Sequence, residues 1–388
     1  MAAVCIHPVN HRRHDEWARK LGAVSARPLE FCPEFPDIAA RWERWWQFAA
    51  ERPLLHASAF TGPGIYRGKA FHLIDRPGQW LAAQRLQLTN THYVADALPR
   101  IRADIGPVAI AAFLGARLSL SEAEQTSWQQ TVINDWEHAP SLRFDPDNPW
   151  FKRVLELLAM IADDARGRYL VCTPDLTGAI DTLVNLRGPD QMCLDLFDHR
   201  EAVVAAAMKI MAAWEPIYET VMDTVLERGA GITQWLDCWS NQPFTIPTCD
   251  FNALLGQRDF AEVCLPSLVK QADIAGRLLF HLDGPQAARH APTLGAATCI
   301  AAVQYTPGAG TPSALAKLDM LRGLQEAGKP VLVVTPKAEV LALARQLDPR
   351  ATAIMVDDKL TQGEADELAQ AVRAMKPVSV SVSKPNLG

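Results

Sequence analysis

The stretch GRLLFHLDGPQAARHAP, residues 276–292, sets the question on which the fold turns. An apolar run ends by presenting His281 and Asp283 two positions apart. On a strand that spacing puts both side chains on one face, and burying either without a partner is costly. A buried strand that delivers polar groups at its carboxyl end is the repeating unit of a parallel α/β fold.

Outward from this run, similar ones recur along the chain. Before it come RPLLHASAF (52–60), GPVAIAAFLG (106–115), RYLVCTP (168–174) and GITQWLDCW (231–239). After it come TCIAAVQYTPG (298–308), KPVLVVTP (329–336) and ATAIMVDD (351–358). Near-continuous apolar strands are what a parallel sheet covered on both faces requires. Helical signals fall between them. Asn148 before Pro149 opens a helix in the preferred order, Ser121 and Glu124 have capping-box spacing, and Gly188 and Gly229 suit helix stops. Eight runs, each followed by helical sequence, point to an α/β fold of the (β/α)8 TIM-barrel type with an N-terminal helical extension. An open doubly wound sheet is the rival, and no glycine-rich phosphate loop follows any run to support it. The expected organisation is an N-terminal arm over 1–35, a barrel over 36–376 and a tail over 377–388. In the arm-to-barrel region Trp42, Trp45 and Trp46 share one helix face and read as core. The stretch 116–167 is longer than a simple helical return and reads as a lid.

Composition narrows the function. Net charge −6 over 388 residues argues against a nucleic-acid partner. Eight cysteines without C-x-x-C spacing suggest neither a zinc ribbon nor a disulfide framework, which fits a cytoplasmic protein. No run approaches the ~18 apolar residues of a membrane span, and the first twenty residues lack the apolar core of a signal peptide.

In a parallel barrel the carboxyl ends of the strands carry the chemistry. Read that way, Asp175, Asp237, Trp239, Cys249, Asp250, His281, Asp283, Gln304, Tyr305, Thr335, Asp357 and Asp358 converge on one mouth. The mixture suits a divalent metal or proton transfer. Plainer readings stand beside these: Asp283 as a turn residue before Gly-Pro, His281 as a core histidine, Asp175 and Asp250 as helix N-caps. Trp136, Glu137 and His138 in the lid offer substrate contacts.

The segments FHLDGP (280–285), CIAAVQYTPGAG (299–310), FDPDNPWF (144–151) and TPDLTGAIDTLVNLRG (173–188) resemble the uroporphyrinogen decarboxylase superfamily. The resemblance is closer to its decarboxylase-like and cobalamin-dependent methyltransferase branch, and runs from about residue 36 to 375. It implies a (β/α)8 barrel and transfer of a methyl group to or from a corrinoid carried by a partner protein. Decarboxylases of the family resemble one another in an arginine-rich loop after the first strand; here that loop holds only Arg67 and Lys69. Methyltransferases of the branch place His-x-Cys at the fifth strand and a further Cys at the eighth, around zinc. This chain has His281-Leu282-Asp283 and Asp357 there, so His281, Asp283 and Asp357 are the expected ligands of Zn2+ or another divalent ion. By strand-end position His281, Asp283 and Tyr305 are the candidate catalytic set, acting in proton transfer if no metal is bound, and Asp175, Trp239 and Gln304, with Trp136 of the lid, lie toward a small-molecule substrate. Members often form dimers, so a homodimer is the assembly to expect. Two alternatives stay open: a metal-free decarboxylase or lyase of a small acid, and a non-catalytic binder of a tetrapyrrole or other small molecule.

Overall fold

The computed structural model describes residues 11–375; the tail 377–388 and the first ten residues of the expected arm lie outside them. The fold is α/β. Its strands are β1 (Leu54–Phe60), β2 (Thr91–Ala95), β3 (Arg100–Arg102), β4 (Leu118–Ser121), β5 (Thr126–Gln129) and β6 (Leu170–Cys172). They continue with β7 (Gly231–Thr233), β8 (Phe244–Thr245), β9 (Arg277–Asp283), β10 (Ala302–Thr306), β11 (Val331–Thr335) and β12 (Thr352–Val356).

Seven strands form the main sheet in the order β2-β1-β12-β11-β10-β9-β8. Every pairing in it is parallel except β1 with β2. A second parallel sheet runs β3-β6-β7, and β4 and β5 make a separate hairpin. Among the described residues no ladder joins β1 to β3 or β7 to β8, so the hydrogen bonds draw two parallel sheets rather than one closed ring.

Seven of the eight apolar runs contain a strand of these two parallel sheets. All five residues of β11 and the Leu278–Leu282 segment of β9 are buried, as double-sided cover demands. The exception is the second run. Its Ala109–Phe113 segment is a short helix, and the strand lies earlier, at Arg100–Arg102. A short buried apolar run has no periodicity to separate helix from strand, and Ala109, Ala111 and Ala112 favour the helix. The capping-box spacing of Ser121 and Glu124 is used in a turn instead: Glu124 N donates to Ser121 Oγ at 3.2 Å between β4 and β5.

Asn148 caps the helix Pro149–Ala165, accepting from the backbone of Trp150 and Phe151. Trp42, Trp45 and Trp46 are all buried on one face of the helix Phe35–Trp46. Trp46 Nε1 reaches the Trp239 carbonyl at 2.8 Å, and Phe35 meets the Trp239 ring edge-on at 4.9 Å. The arm contains a helix, His11–Ser25, laid against the long helix Arg200–Leu226: Trp17 is 1% exposed and donates to Asp223 Oδ1 at 2.7 Å. Gly276 lies just before β9 with φ +82°, and a Cβ there would stand 2.8 Å from the Pro243 carbonyl oxygen. Only glycine meets both conditions at that turn. No helix among the described residues is long and apolar enough to cross a membrane.

Candidate active site

The alternation of β9 carries His281 and Asp283 to the same face. The parallel register sets Gln304 beside His281 and Thr306 beside Asp283. His281 is 9% exposed. Its Nδ1 pairs with Gln304 Oε1, and its ring meets Trp235 edge-on at 4.9 Å between centroids. Its Nε2 stands 4.0 Å from Asp250 Oδ1. Burial lowers the His281 pKa, while Gln304, Asp283 and Asp181 pull the other way.

Asp250 opens a short 3-10 turn, Asp250–Leu254, at the end of the loop that follows β8. That loop is held by Asp181, in the first turn of the helix Ala179–Arg187. Asp181 accepts from Thr248 Oγ1 at 2.7 Å, Asp250 N at 2.9 Å and Phe251 N at 3.3 Å. Burial raises the Asp181 pKa and these hydrogen bonds oppose the rise. Withdrawal into the recess, then the charges of Asp181, Asp283 and Asp175, push Asp250 up to about 8. Its side chain is still 62% open to solvent, so mutual repulsion of the carboxylates is the firmer part of that rise.

Asp250, His281 and Asp283 each offer one ligand atom, and the three atoms lie within 4.8 Å of one another. Asp250 and His281 border a recess of about 380 Å³ lined also by Asp175, Asp181, Trp235 and Thr248, with no lysine or arginine among the described residues of its wall. Two oxygens and one imidazole nitrogen at this separation, with excess negative charge around them, form a donor set that fits a divalent cation.

Beside the recess, Arg102 bridges Asp104 at 3.2 Å and Asp175 at 3.4 Å, and Lys69 meets Asp104 at 3.2 Å. Burial pushes Asp175 up to about 6 and Arg102 pulls it back. The folded carboxyl therefore holds its proton better than the unfolded one, near 3.9. Its contribution to stability is present at low pH and lost as pH rises from about 4 through about 6. Asp175→Asn is expected to match the parent near pH 4 and to be about 1–3 kcal/mol more stable near pH 7, less what the Arg102 contact supplied. Urea unfolding at the two pH values measures it, and an equal difference at both removes the buried carboxyl as the cause. Further in, Asp237, at φ +53°, pairs with Arg100 and stands 3.4 Å from His56. Burial, then Arg100, pushes His56 down to about 3.

Of the residues expected at the mouth, the structure brings His281, Asp283 and Asp175 together and supports His281 with Gln304. The Gln304 amide is spent on His281 and on Thr306 Oγ1, which it reaches at 2.7 Å, and the side chain is buried. Alternation turns Tyr305 to the opposite face, with Leu282, where its buried hydroxyl finds no hydrogen-bond partner among the described residues. Trp239 is in the core against Phe35 and Trp46. Trp136 lines a different groove, of about 750 Å³, under the Arg187 guanidinium at 5.4 Å. Asp357 stands outside the cluster of possible ligands, its backbone N–H bonded to Thr335 O at 3.1 Å. Cys249 is buried, its thiol 3.6 Å from that of Cys264. Sequence reasoning placed Asp250 near the mouth, with an N-cap as its plainer reading, and passed over Asp181, Trp235, Arg102 and Asp104. Period-two spacing of Arg100, Arg102 and Asp104 was the signal that could have found the last two.

The chain matches no protein-family model and no curated protein sequence. Among solved structures it is similar to a methyltransferase from Methanosarcina mazei, at 13% identity and a TM-score of 0.55, over 87% of this chain and 98% of that one. That likeness is one of fold.

Proposed function

We infer that this chain is a methyl-transferring enzyme of the uroporphyrinogen decarboxylase-like kind, acting on a small molecule with a corrinoid carried by a separate protein. In this reading the two parallel sheets are arcs of one (β/α)8 barrel, and the recess is its mouth. The observation that carries the reading is the Asp250, His281 and Asp283 trio, whose donor atoms lie within 4.8 Å of one another at a carboxyl strand end. The similarity in fold to a methyltransferase supports it.

Asp250, His281 and Asp283 would hold the cation, zinc or a harder divalent ion, since two of the three donors are carboxylates. When bound, such an ion supplies Lewis acidity toward a methyl donor. The chain's own residues do the rest. His281 presents Nε2 to the recess, Asp181 fixes the loop that carries Asp250, and Trp235 closes one wall against water. Elemental analysis of untagged protein, followed by a screen of methyl donors against a reduced corrinoid, tests the proposal. Near-stoichiometric metal and a donor-dependent change in the corrinoid spectrum are the expected results.

The metal-free lyase reading draws on a different observation, the Asp175 carboxyl near 6 beside Arg102. A carboxyl so poised can move a proton at a bound acid. Activity toward a small acid that survives exhaustive chelation would favour it.

A further inference from the structure

We propose that Gln304 is a positioning residue, which with Thr306 fixes the Nδ1–H tautomer of His281 and so leaves Nε2 bare toward Asp250 and Asp283. The inference rests on the reading of the recess as a ligand site, but its core concerns the ring alone. Gln304 and His281 are direct neighbours in the parallel register of β9 and β10, and Thr306 follows on the same face. A glutamine amide has one end that accepts and one that donates. In the structure Gln304 Nε2 donates to Thr306 Oγ1 at 2.7 Å, and the accepting Oε1 faces the imidazole. An acceptor at Nδ1 requires a proton there, and a neutral ring then carries its lone pair on Nε2. Gln304 is wholly buried and His281 nearly so, which leaves little solvent to compete for either bond. The Trp235 edge restricts rotation of the ring about its own axis.

The consequence is a division of labour between two faces of one imidazole. The inner nitrogen is held by the β10 relay, and the outer one is offered to whatever the two aspartates attract. Outer partners of this kind usually set ring orientation and ligand basicity, and losing one costs about 10–100-fold in metal affinity. Turning the amide over would reverse the arrangement: Gln304 would donate to Nδ1, and Nε2 would carry the proton toward Asp250. The two states are distinct and measurable.

The experiment is nitrogen NMR of the full chain labelled at histidine, metal-free and at about pH 8, where a neutral ring is expected. The His281 signals are identified by their loss in His281→Gln. The expected result is Nδ1–H in the parent and a mixture of tautomers in Gln304→Leu, which keeps the bulk and removes the acceptor. Gln304→Glu keeps an acceptor and should restore Nδ1–H. Thr306→Val, which leaves Gln304 in place but frees its amide, should mix the tautomers even if the leucine variant folds poorly. Zinc titration of the same proteins should show affinity about 10–100-fold weaker in Gln304→Leu and within a few-fold of the parent in Gln304→Glu. Nε2–H in the parent, or an unchanged tautomer in both Gln304→Leu and Thr306→Val, overturns the proposal. A fixed Nδ1–H ring in a chain that binds no zinc supports the positioning role and removes the metal from the proposed function instead.

Discussion

Replacing His281 with alanine is expected to strip the recess of its divalent cation, from near-stoichiometric content in the parent to less than about a tenth of that. The loss should exceed the 10–100-fold in affinity that removing an outer partner costs, because His281 is the one nitrogen donor of the trio. Asp250 and Asp283 alone would leave two carboxylates, a set that holds zinc poorly without a further ligand. Asp357→Ala is the control: Asp357 lies outside the cluster, so its removal should leave metal content unchanged. Elemental analysis of untagged protein, with and without added zinc, reads both. Absence of metal from parent and variant alike, even after zinc is supplied, would sink the metal-assisted reading and move the lyase and binding readings ahead.

Asp96→Ala is expected to cost about 3–5 kcal/mol of stability, the loss typical when one partner of a buried ion pair is removed. Asp96 is fully buried at the end of β2. Its carboxylate takes Arg41 at 2.6 Å, Arg52 at 2.9 Å and the Leu55 N–H at 3.0 Å. One side chain therefore ties the Phe35–Trp46 helix to both β1 and β2, and its loss strands two guanidiniums and a buried N–H. Asp96→Asn keeps an acceptor for part of that set and should cost less. Urea midpoints at constant slope measure both. A shift worth under about 1 kcal/mol would place the cluster with solvent-screened surface pairs instead.

What could be read from the sequence was what hydrophobicity encodes. Seven apolar runs announce strands because both faces of a parallel sheet are covered, and Asn148-Pro149 announces a helix because capping is local chemistry. The strand Arg100–Arg102 stayed hidden because its outer residues are arginines, paired with Asp237 and Asp175 from distant segments and with Asp104 two residues on. The helix in the second run stayed hidden because five buried residues fit either geometry. At the site, His281 and Asp283 were visible from their shared strand face. Asp250 could be placed near the mouth but not against His281, because its approach depends on Asp181 gripping the loop, a contact across 69 residues of chain. Trp239 and Tyr305 were misplaced for a simpler reason: a position near a strand's end does not say which face it occupies. Trp136 was misplaced because a loop's composition does not say which groove it borders.

The pairing of β1 with β12 has a consequence for how the chain is made. Leu54 lies opposite Ala353, so the first long strand meets one of its two neighbours only when the last is delivered. At about 5–20 residues per second, synthesis of the intervening segment takes roughly 15–60 s. During that interval the β1 edge that will take β12 is unpaired, and such edges invite pairing with other chains. Trp17, on the N-terminal helix, waits in the same way for Asp223. The nascent chain is therefore most exposed to aggregation early and safest last, and its yield in the cell should depend on holdase chaperones more than its finished stability would suggest.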